Sequence, residues 1–304
     1  MQTIRSAALI GLGALGILFG RPMTETLPAG AFTVIAGDDR AARYRAAPIT
    51  SNGQPCRFSF TRPQDGAPVD LVLVAVKATH LAAAVPDIAR FVGPDTVILS
   101  VLNGITSEQT LEAAYPGHTL WSVAIGMDAT RTGRTLLYKN AGKIQFGEKD
   151  GVLTPRVQAV ADFLTACGIE NEPCTDILEK QWFKLTINDG LNQAAAVYGL
   201  PYGGLAQPGE AQDNMLAAMH ETIAVANAEG VPLRKDSAEH WCAKALPASK
   251  PDGMPSMLQD VLAHRPTEVE EFAGVVRRLA AKHGIPVPAN DFFYQRIREI
   301  EAAY

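Results

Sequence analysis

The segment at residues 4–16, IRSAALIGLGALG, decides the fold class of this chain. Its first seven residues form a short, mostly apolar run, as in a buried strand. The motif G-x-G-x-x-G follows directly and comprises Gly11, Leu12, Gly13, Ala14, Leu15 and Gly16. After a strand and before a helix, this spacing binds the pyrophosphate of a dinucleotide. The glycines permit a tight turn and a close backbone approach, and the helix N-terminus attracts negative charge.

The context of the motif strengthens this interpretation, because further strand candidates follow it at intervals. They lie at residues 32–36, 70–76, 96–102, 119–125 and 142–146, with a helical pattern at 82–91 and another at 157–167. Strands that alternate with crossovers long enough for helices indicate βαβ units and a parallel sheet. We therefore expect a Rossmann-type doubly wound parallel sheet in the first half of the chain.

The second half has a different pattern, since helical periodicity dominates after Cys174. The helix candidates lie at residues 178–198, 212–229, 235–245, 268–283 and 291–303. The fold class is therefore α/β, with a dinucleotide-binding domain at 1–174 and an all-helical substrate and catalytic domain at 175–304.

Composition narrows the function classes. The chain has 304 residues, of which 47 % are hydrophobic and 19 % charged, as is typical of a globular protein. Its net charge of −5 argues against a nucleic-acid surface. The four cysteines have no C-x-x-C spacing or zinc-finger histidines, so we expect no metal site and a reduced, cytoplasmic protein.

Arg5 and the apolar residues 7–19 imitate a secretory signal. That segment is too short to span a bilayer, its glycines fit the dinucleotide motif better, and no membrane partner is expected.

Residues at strand ends would face the cofactor, because ligands of open α/β sheets bind at the carboxyl ends of the strands. The second strand ends at Gly37, followed by Asp38, Asp39 and Arg40. An acid there binds the ribose of NAD and an arginine accommodates the 2′-phosphate of NADP. We favour NADP through Arg40; the alternative is a solvated turn with helix-start acids.

Lys77 and Asn103 follow the next two strands and would face the same crevice. The alternatives are a solubilising lysine and a plain Asn-Gly turn.

A polar row, defined as Lys184, Asn188 and Asn192, lies four residues apart in the stretch QWFKLTINDGLNQAAAVYG. In an α-helix four residues advance about 40° around the axis, so the row would drift slowly along one face. Asn188-Asp189-Gly190 are three poor helix formers inside a strong apolar pattern, which suggests that function overrides propensity. The alternative is an amphipathic helix whose polar residues face water.

Two residues of later helices are further candidates, each with a plain structural alternative. Ser256 begins Ser-Met-Leu-Gln, which fits a capping box with Gln259. Glu268 stands at a helix start, where the helix dipole favours an acid.

Taken together, these motifs resemble the ketopantoate reductase family (2-dehydropantoate 2-reductase). The features that match run in order over nearly the whole chain: GLGALG at 11–16, Lys77, Asn103-Gly104, K-x-x-x-N-x-x-x-N at 184–192, SMLQDV at 256–261, TEVE at 267–270 and GIPVPAN at 284–290. One departure is Gly37-Asp38-Asp39, where an arginine does not follow the second strand directly.

The resemblance implies NADPH-dependent reduction of ketopantoate to D-pantoate, a step toward pantothenate and coenzyme A. It implies that Lys184 is the general acid and Glu268 its partner or a substrate contact. Asn103 and Asn188 would orient Lys184 and the substrate hydroxyl, while Asn192 and Ser256 would hold the hydroxyl or the carboxylate. An ammonium near a carbonyl that accepts hydride can stabilise and neutralise the developing charge.

Two other functions stay open at this point: a reductase of a different small 2-keto acid, and a non-catalytic dinucleotide-binding sensor. The sensor would leave the polar row unexplained. A homodimer is an open alternative to a monomer.

Overall fold

A computed structural model describes residues 3–304 of the chain. It divides into two compact units, Met1–Ile177 and Leu178–Tyr304. The first unit contains the strands and the second contains helices. The expected domain boundary after residue 174 stays a prediction, three residues from this division.

Within residues 3–177, twelve strands form two sheets. They are β1 (Ala7–Ile10), β2 (Phe32–Ile35), β3 (Thr50–Ser51), β4 (Gln54–Pro55), β5 (Phe60–Thr61), β6 (Val69–Val74), β7 (Val92–Ser100), β8 (Thr119–Met127), β9 (Thr130–Thr132), β10 (Thr135–Leu137), β11 (Ala141–Gly147) and β12 (Asn171–Pro173). The large sheet has the order β12-β11-β8-β7-β6-β1-β2-β5 and is parallel except between β8 and β11. The small sheet has the order β4-β3-β10-β9.

Helices cover both faces of the large sheet. They are α1 (Ala14–Thr26), α2 (Asp38–Arg45), α3 (Leu81–Asp87), α4 (Ser107–Ala114) and α5 (Pro155–Ala166). Alternate residues of β1 point to opposite faces, so Leu9 joins one apolar core and Ile10 the other. Because both faces are covered, the central strands are apolar without alternation, as expected for a parallel sheet. The predicted doubly wound fold is confirmed.

The described residues of the second unit form helices and loops. The α-helices are α6 (Ile177–Ile187), α7 (Gln193–Tyr198), α8 (Tyr202–Leu205), α9 (Glu210–Ala228), α10 (Ser237–Ala248), α11 (Ser256–Leu262), α12 (Val275–His283) and α13 (Pro288–Glu301). Two short π-helical segments interrupt this pattern: the first π turn is Asn188–Asn192 and the second π turn is Glu270–Gly274.

The π turns correct two helix predictions. The helix expected at residues 178–198 is α6, the first π turn and α7, and the helix expected at 268–283 is the second π turn and α12. The two π turns pack against each other, and α9 packs against the first. Single π turns inside α-helices are rare and are found disproportionately at functional sites.

No helix within residues 3–304 is long and apolar enough to cross a membrane. The segment that imitates a signal sequence instead forms β1, the glycine-rich turn and the first half of α1.

Candidate active site

The glycine-rich turn lies between β1 and α1 and is shaped by close backbone contacts. Gly11 has φ +98°, and a Cβ at this position would lie 2.6 Å from the carbonyl oxygen of Ala75. A side chain on Gly16 would collide with the carbonyl oxygen of Gly11. Gly13 stands at the N-cap of α1 and has no side chain to satisfy the first amides of that helix. The turn therefore fits an anion such as pyrophosphate, held by backbone N–H groups and the helix dipole.

A pocket of about 290 Å³ opens beside this turn, at the carboxyl ends of β1, β2 and β6. Its lining includes Ile10, Gly37, Asp38, Arg40, Arg43 and His80. Arg40 is exposed on α2, and Asp38 lies 3.5 Å from the guanidinium of Arg62. The pocket thus carries both an acid and an arginine where the ribose of a dinucleotide would bind.

Lys77 and Asn103 lie at the same end of the sheet. Lys77 is the third residue after β6, and Asn103 is the third after the neighbouring strand β7. Both stand beyond the carboxyl ends of parallel strands, as the sequence predicted. Their roles toward cofactor and substrate stay predictions.

A buried hydrogen-bond network supports the turn that carries Asn103. The hydroxyl groups of Ser100 and Ser107 are 2.8 Å apart, and Ser107 donates to Glu108 Oε2 at 2.8 Å. Ser122 approaches Glu108 Oε1 at 3.4 Å through both its amide and its hydroxyl. Burial raises the pKa of Glu108 to about 7, although hydrogen bonds from these serines oppose the shift.

In the second unit, the polar row follows the change from α-helix to π turn. Lys184 is in the last turn of α6, Asn188 begins the first π turn and Asn192 ends it. Four residues overshoot a full revolution by about 40° in an α-helix. In a π turn four residues do not complete a revolution, because an i→i+5 hydrogen bond requires more than four residues per revolution. The π turn therefore reverses the drift of the row and keeps the two amides aligned; Asn192 Nδ2 donates to Asn188 Oδ1 at 3.2 Å.

Ser256 extends this arrangement from α11. Its hydroxyl donates to Asn192 Oδ1 at 3.1 Å, and the amide of Met257 donates to the same oxygen at 3.2 Å. The capping-box alternative is wrong, because Pro255 occupies the N-cap and Gln259 bonds the carbonyl of Met254 instead. Asn188, Asn192 and Ser256 thus form a continuous chain of hydrogen bonds.

Glu268 is two residues before the second π turn and is half-buried. Its carbonyl oxygen accepts from the amides of Glu271 and Phe272, at 2.9 and 3.2 Å, and so starts the helix. Because the two π turns pack against each other, Glu268 and the polar row belong to neighbouring elements of one unit. The pairing of Glu268 with Lys184 stays a prediction.

Comparison with known proteins identifies the family. The family model described as Ketopantoate reductase PanE/ApbA matches residues 7–151, and the one described as Ketopantoate reductase PanE/ApbA C terminal matches residues 176–301. The chain belongs to the ketopantoate reductase family. The predicted resemblance is therefore confirmed, and this ketopantoate reductase family is one of dinucleotide-dependent oxidoreductases.

Individual relatives agree with this assignment at low identity. A 2-dehydropantoate 2-reductase of Vibrio cholerae is 26 % identical over 236 residues, which cover 77 % of this chain and 79 % of the relative. Among solved structures, a complex of D-mandelate dehydrogenase with NADH has a TM-score of 0.87 at 21 % identity and covers 98 % of this chain and 99 % of that one. A dimeric ketopantoate reductase from Staphylococcus aureus has a TM-score of 0.82 at 20 % identity, with 98 % and 99 % coverage. At such identities the two structures establish the fold alone.

Sequence reasoning missed a second set of polar residues in this family member. Asp189, Gln193 and Thr222 are fully buried on the α9 side of the first π turn, and Gln193 and Thr222 are each hydrogen-bonded to Asp189. The signal in the sequence is the run Asn188-Asp189-Gly190, whose poor helix propensity does not reveal the polar partners of Asp189.

Proposed function

We propose that the chain is an NADPH-dependent 2-dehydropantoate 2-reductase, which reduces ketopantoate to D-pantoate on the route to pantothenate and coenzyme A. One observation carries the proposal: the hydrogen-bonded chain Asn188–Asn192–Ser256 follows Lys184 by one helical turn. An ammonium next to neutral amide and hydroxyl groups is the combination that a small polar keto acid requires. The name of the Vibrio cholerae relative supports the same substrate.

In the proposed mechanism, the glycine-rich turn and Arg40 would hold NADPH, which would supply a hydride to the keto carbon. Lys184 donates a proton to the carbonyl oxygen, which neutralises the negative charge that develops there. Asn188, Asn192 and Ser256 bind the hydroxyl or the carboxylate of the substrate and fix its orientation. Glu268 holds the ammonium of Lys184 or contacts the substrate. Asn103 orients the substrate and Lys77 contacts the cofactor.

The test is NADPH oxidation with ketopantoate, followed at 340 nm in wild type and in Lys184→Ala. Removing a general acid costs about 10²–10⁴-fold in kcat, and we expect a loss in this range with little change in NADPH affinity. Lys244→Ala, an exposed lysine on α10, is the matched control and should keep wild-type kcat. An unchanged kcat in Lys184→Ala would exclude the proposed acid.

The choice of NADPH rests on Arg40, with Arg43 beside it at the rim of the pocket. The acids Asp38 and Asp39 favour NADH instead, and the D-mandelate dehydrogenase of similar fold was solved with NADH. Comparing kcat/KM for NADPH and NADH decides between them. A preference for NADPH is expected, and a preference for NADH would contradict the role of Arg40.

A second candidate is reduction of another small 2-keto acid, because the fold is shared with D-mandelate dehydrogenase. A panel of 2-keto acids that includes ketopantoate and phenylglyoxylate, the keto acid of mandelate, separates the two candidates by kcat/KM. Tight NADPH binding without turnover of any acid on the panel would instead indicate a dinucleotide sensor.

We also propose that the protein forms a homodimer in the cytoplasm. The dimeric ketopantoate reductase of similar fold supports the assembly. The four cysteines form no disulfide within the described residues, which suits a reducing compartment. Sedimentation equilibrium at micromolar concentration tests the dimer directly.

A further inference from the structure

Asp189 is a fully buried carboxyl group that the proposed mechanism does not use. It lies in the first π turn, between the site residues Asn188 and Asn192. Gln193 Nε2 donates to Asp189 Oδ1 at 2.8 Å and to its backbone carbonyl at 2.7 Å. The hydroxyl of Thr222, on α9, lies 2.7 Å from Asp189 Oδ2. Asp189 therefore connects the π turn to the neighbouring helix.

The hydrogen-bond geometry favours a protonated Asp189. The Thr222 hydroxyl has one hydrogen, yet it lies within reach of both Asp189 Oδ2 and the Ala218 carbonyl, the latter at 3.0 Å. A proton on Asp189 Oδ2 resolves this, since Asp189 then donates to Thr222 and Thr222 donates to Ala218. Burial raises the pKa of Asp189 to about 8, hydrogen bonds from Thr222, Asn290 and Gln193 oppose the shift, and the charge of Glu221 adds to it.

Asp189 also acts together with Gly190. A Cβ on Gly190 would lie 2.7 Å from the carbonyl oxygen of Met215 and 2.5 Å from Met219 Cγ, so the turn lies directly against α9. Gly190 permits the close approach, and the bond from Asp189 to Thr222 fixes the turn at that position. The flanking residue Asn192 is then held between Asn188 and Ser256.

We propose that Asp189 is a positioning residue that anchors the first π turn to α9 and thereby sets the alignment of Asn188 and Asn192 for the keto acid. This inference rests on the proposed function. It assigns to Asp189 an effect on substrate binding that is separate from its effect on folding stability.

Two substitutions test it by steady-state kinetics. Asp189→Asn presents an amide N–H where the protonated acid presents its O–H, so the KM for the keto acid should stay within about twofold of wild type. Asp189→Ala removes the anchor, and we expect a keto-acid KM about tenfold or more higher, with the NADPH KM within about twofold of wild type. A rise in the keto-acid KM without a matching rise in the NADPH KM distinguishes substrate positioning from a general loss of folded enzyme.

Asn227→Ala is the matched control on the same helix. Asn227 Nδ2 donates to the carbonyls of Ile223 and Leu233 at 2.8 and 3.1 Å and does not belong to the Asp189 network. Its loss should lower the melting temperature without changing the keto-acid KM. If Asp189→Ala also lowers only the melting temperature, the positioning role is overturned.

Crystal structures of the two Asp189 variants separate this inference from the proposed function, because they need no substrate. In Asp189→Asn the π turn and the 3.1 Å contact of Ser256 with Asn192 should persist, and in Asp189→Ala both should be lost. A π turn that is intact in Asp189→Ala overturns the inference. Wild-type enzyme that reduces no keto acid overturns the proposed function, while the crystal structures still decide the role of Asp189. Should Asp189→Ala not fold, Thr222→Val removes the same contact from α9 with nearly unchanged volume.

Discussion

Glu108 is the residue through which pH should act on the stability of the first unit. Its carboxyl is 2 % exposed and bonds Ser107 and Ser122 beneath the turn that carries Asn103. Burial raises its pKa from 4.5 to about 7, so the folded state keeps a proton that the unfolded state releases. The contribution of Glu108 to stability therefore falls as the pH rises from about 4.5 to about 7, and the loss is complete above that range.

We predict that Glu108→Gln removes this dependence, because glutamine has a similar shape and does not ionise. The rise of the pKa from 4.5 to about 7 corresponds to about 3 kcal/mol, which is the expected gain of the variant over wild type at pH 8. Urea unfolding of both proteins at pH 5, 6, 7 and 8 measures it. The two curves should lie closest together at pH 5, and parallel curves across the series would contradict the assignment.

Single residues such as Glu108 and Asp189 show a limit of sequence reading. In the sequence, Glu108 is an ordinary acid near a helix start, and Asp189 is one of three poor helix formers. Whether a carboxyl faces water or a core depends on segments far away in the chain. Ser122 and Thr222, which bond these acids, are 14 and 33 residues distant.

At the scale of elements, the contact between the first π turn and α9 depends on the absence of a side chain at Gly190. The Cβ of an alanine would lie 2.7 Å from the carbonyl oxygen of Met215, a backbone atom, and 2.5 Å from Met219 Cγ. We predict that Gly190→Ala lowers the free energy of unfolding by about 1–3 kcal/mol, as overpacking commonly does. Chemical denaturation measures the change.

The double variant Gly190→Ala with Met219→Ala identifies which contact causes the loss. Removing the Met219 side chain relieves the overlap with Met219 and leaves the overlap with the Met215 carbonyl. The double variant should therefore be less stable than Met219→Ala, but by a smaller margin than separates Gly190→Ala from wild type. Gly37→Ala is the control for a methyl group without overlap, because no heavy atom lies within 4 Å of its Cβ position and its φ is −64°. Its loss of stability should not exceed about 1 kcal/mol, which is what alanine costs at a helix N-cap. Full recovery in the double variant would show that the backbone contact is unimportant.

The elements that sequence reasoning found are those whose burial imposes a pattern. β1, β2, β6, β7, β8 and β11 were predicted to within a few residues, because buried parallel strands are continuous apolar runs. β3, β4, β5, β9, β10 and β12 were missed, since each has two or three residues and no periodicity to detect. The π turns were missed because helix propensities do not distinguish i→i+4 from i→i+5 hydrogen bonding.

For the whole molecule, the division into two units separates the expected effects of cofactor and substrate. The glycine-rich turn, Arg40, Lys77 and Asn103 belong to the first unit, and the polar row with Ser256 and Glu268 belongs to the second. The motifs locate these residues in the sequence, and their roles toward cofactor and substrate stay predictions. The distances between Asn188, Asn192 and Ser256 depend on the first π turn, which the motifs do not encode.

We predict that NADPH stabilises the protein through the first unit alone. A ligand at 100 times its Kd adds about 2.7 kcal/mol to the free energy of unfolding. The resulting rise in melting temperature should persist in Lys184→Ala. It should be lost in Gly13→Asp, because the new carboxylate would cap α1 and repel the pyrophosphate at that helix N-terminus. Differential scanning fluorimetry with and without NADPH measures both.

Lys244→Asp, which places a carboxylate on the exposed side of α10, is the control for the added charge. It should retain most of the shift. A shift in Gly13→Asp equal to that of wild type would place the pyrophosphate elsewhere.

The first unit is continuous in sequence, and this affects how the protein folds during synthesis. β1 pairs with β6 across more than sixty residues, and such long-range parallel pairing forms slowly, in milliseconds to seconds. Translation of residues 178–304 takes about 6–25 s at about 5–20 residues per second. On the ribosome, the slow sheet therefore has time to close before the helices of the second unit emerge. After dilution from denaturant both units start together, and the exposed strand edges of the unfinished sheet become the main route to aggregation.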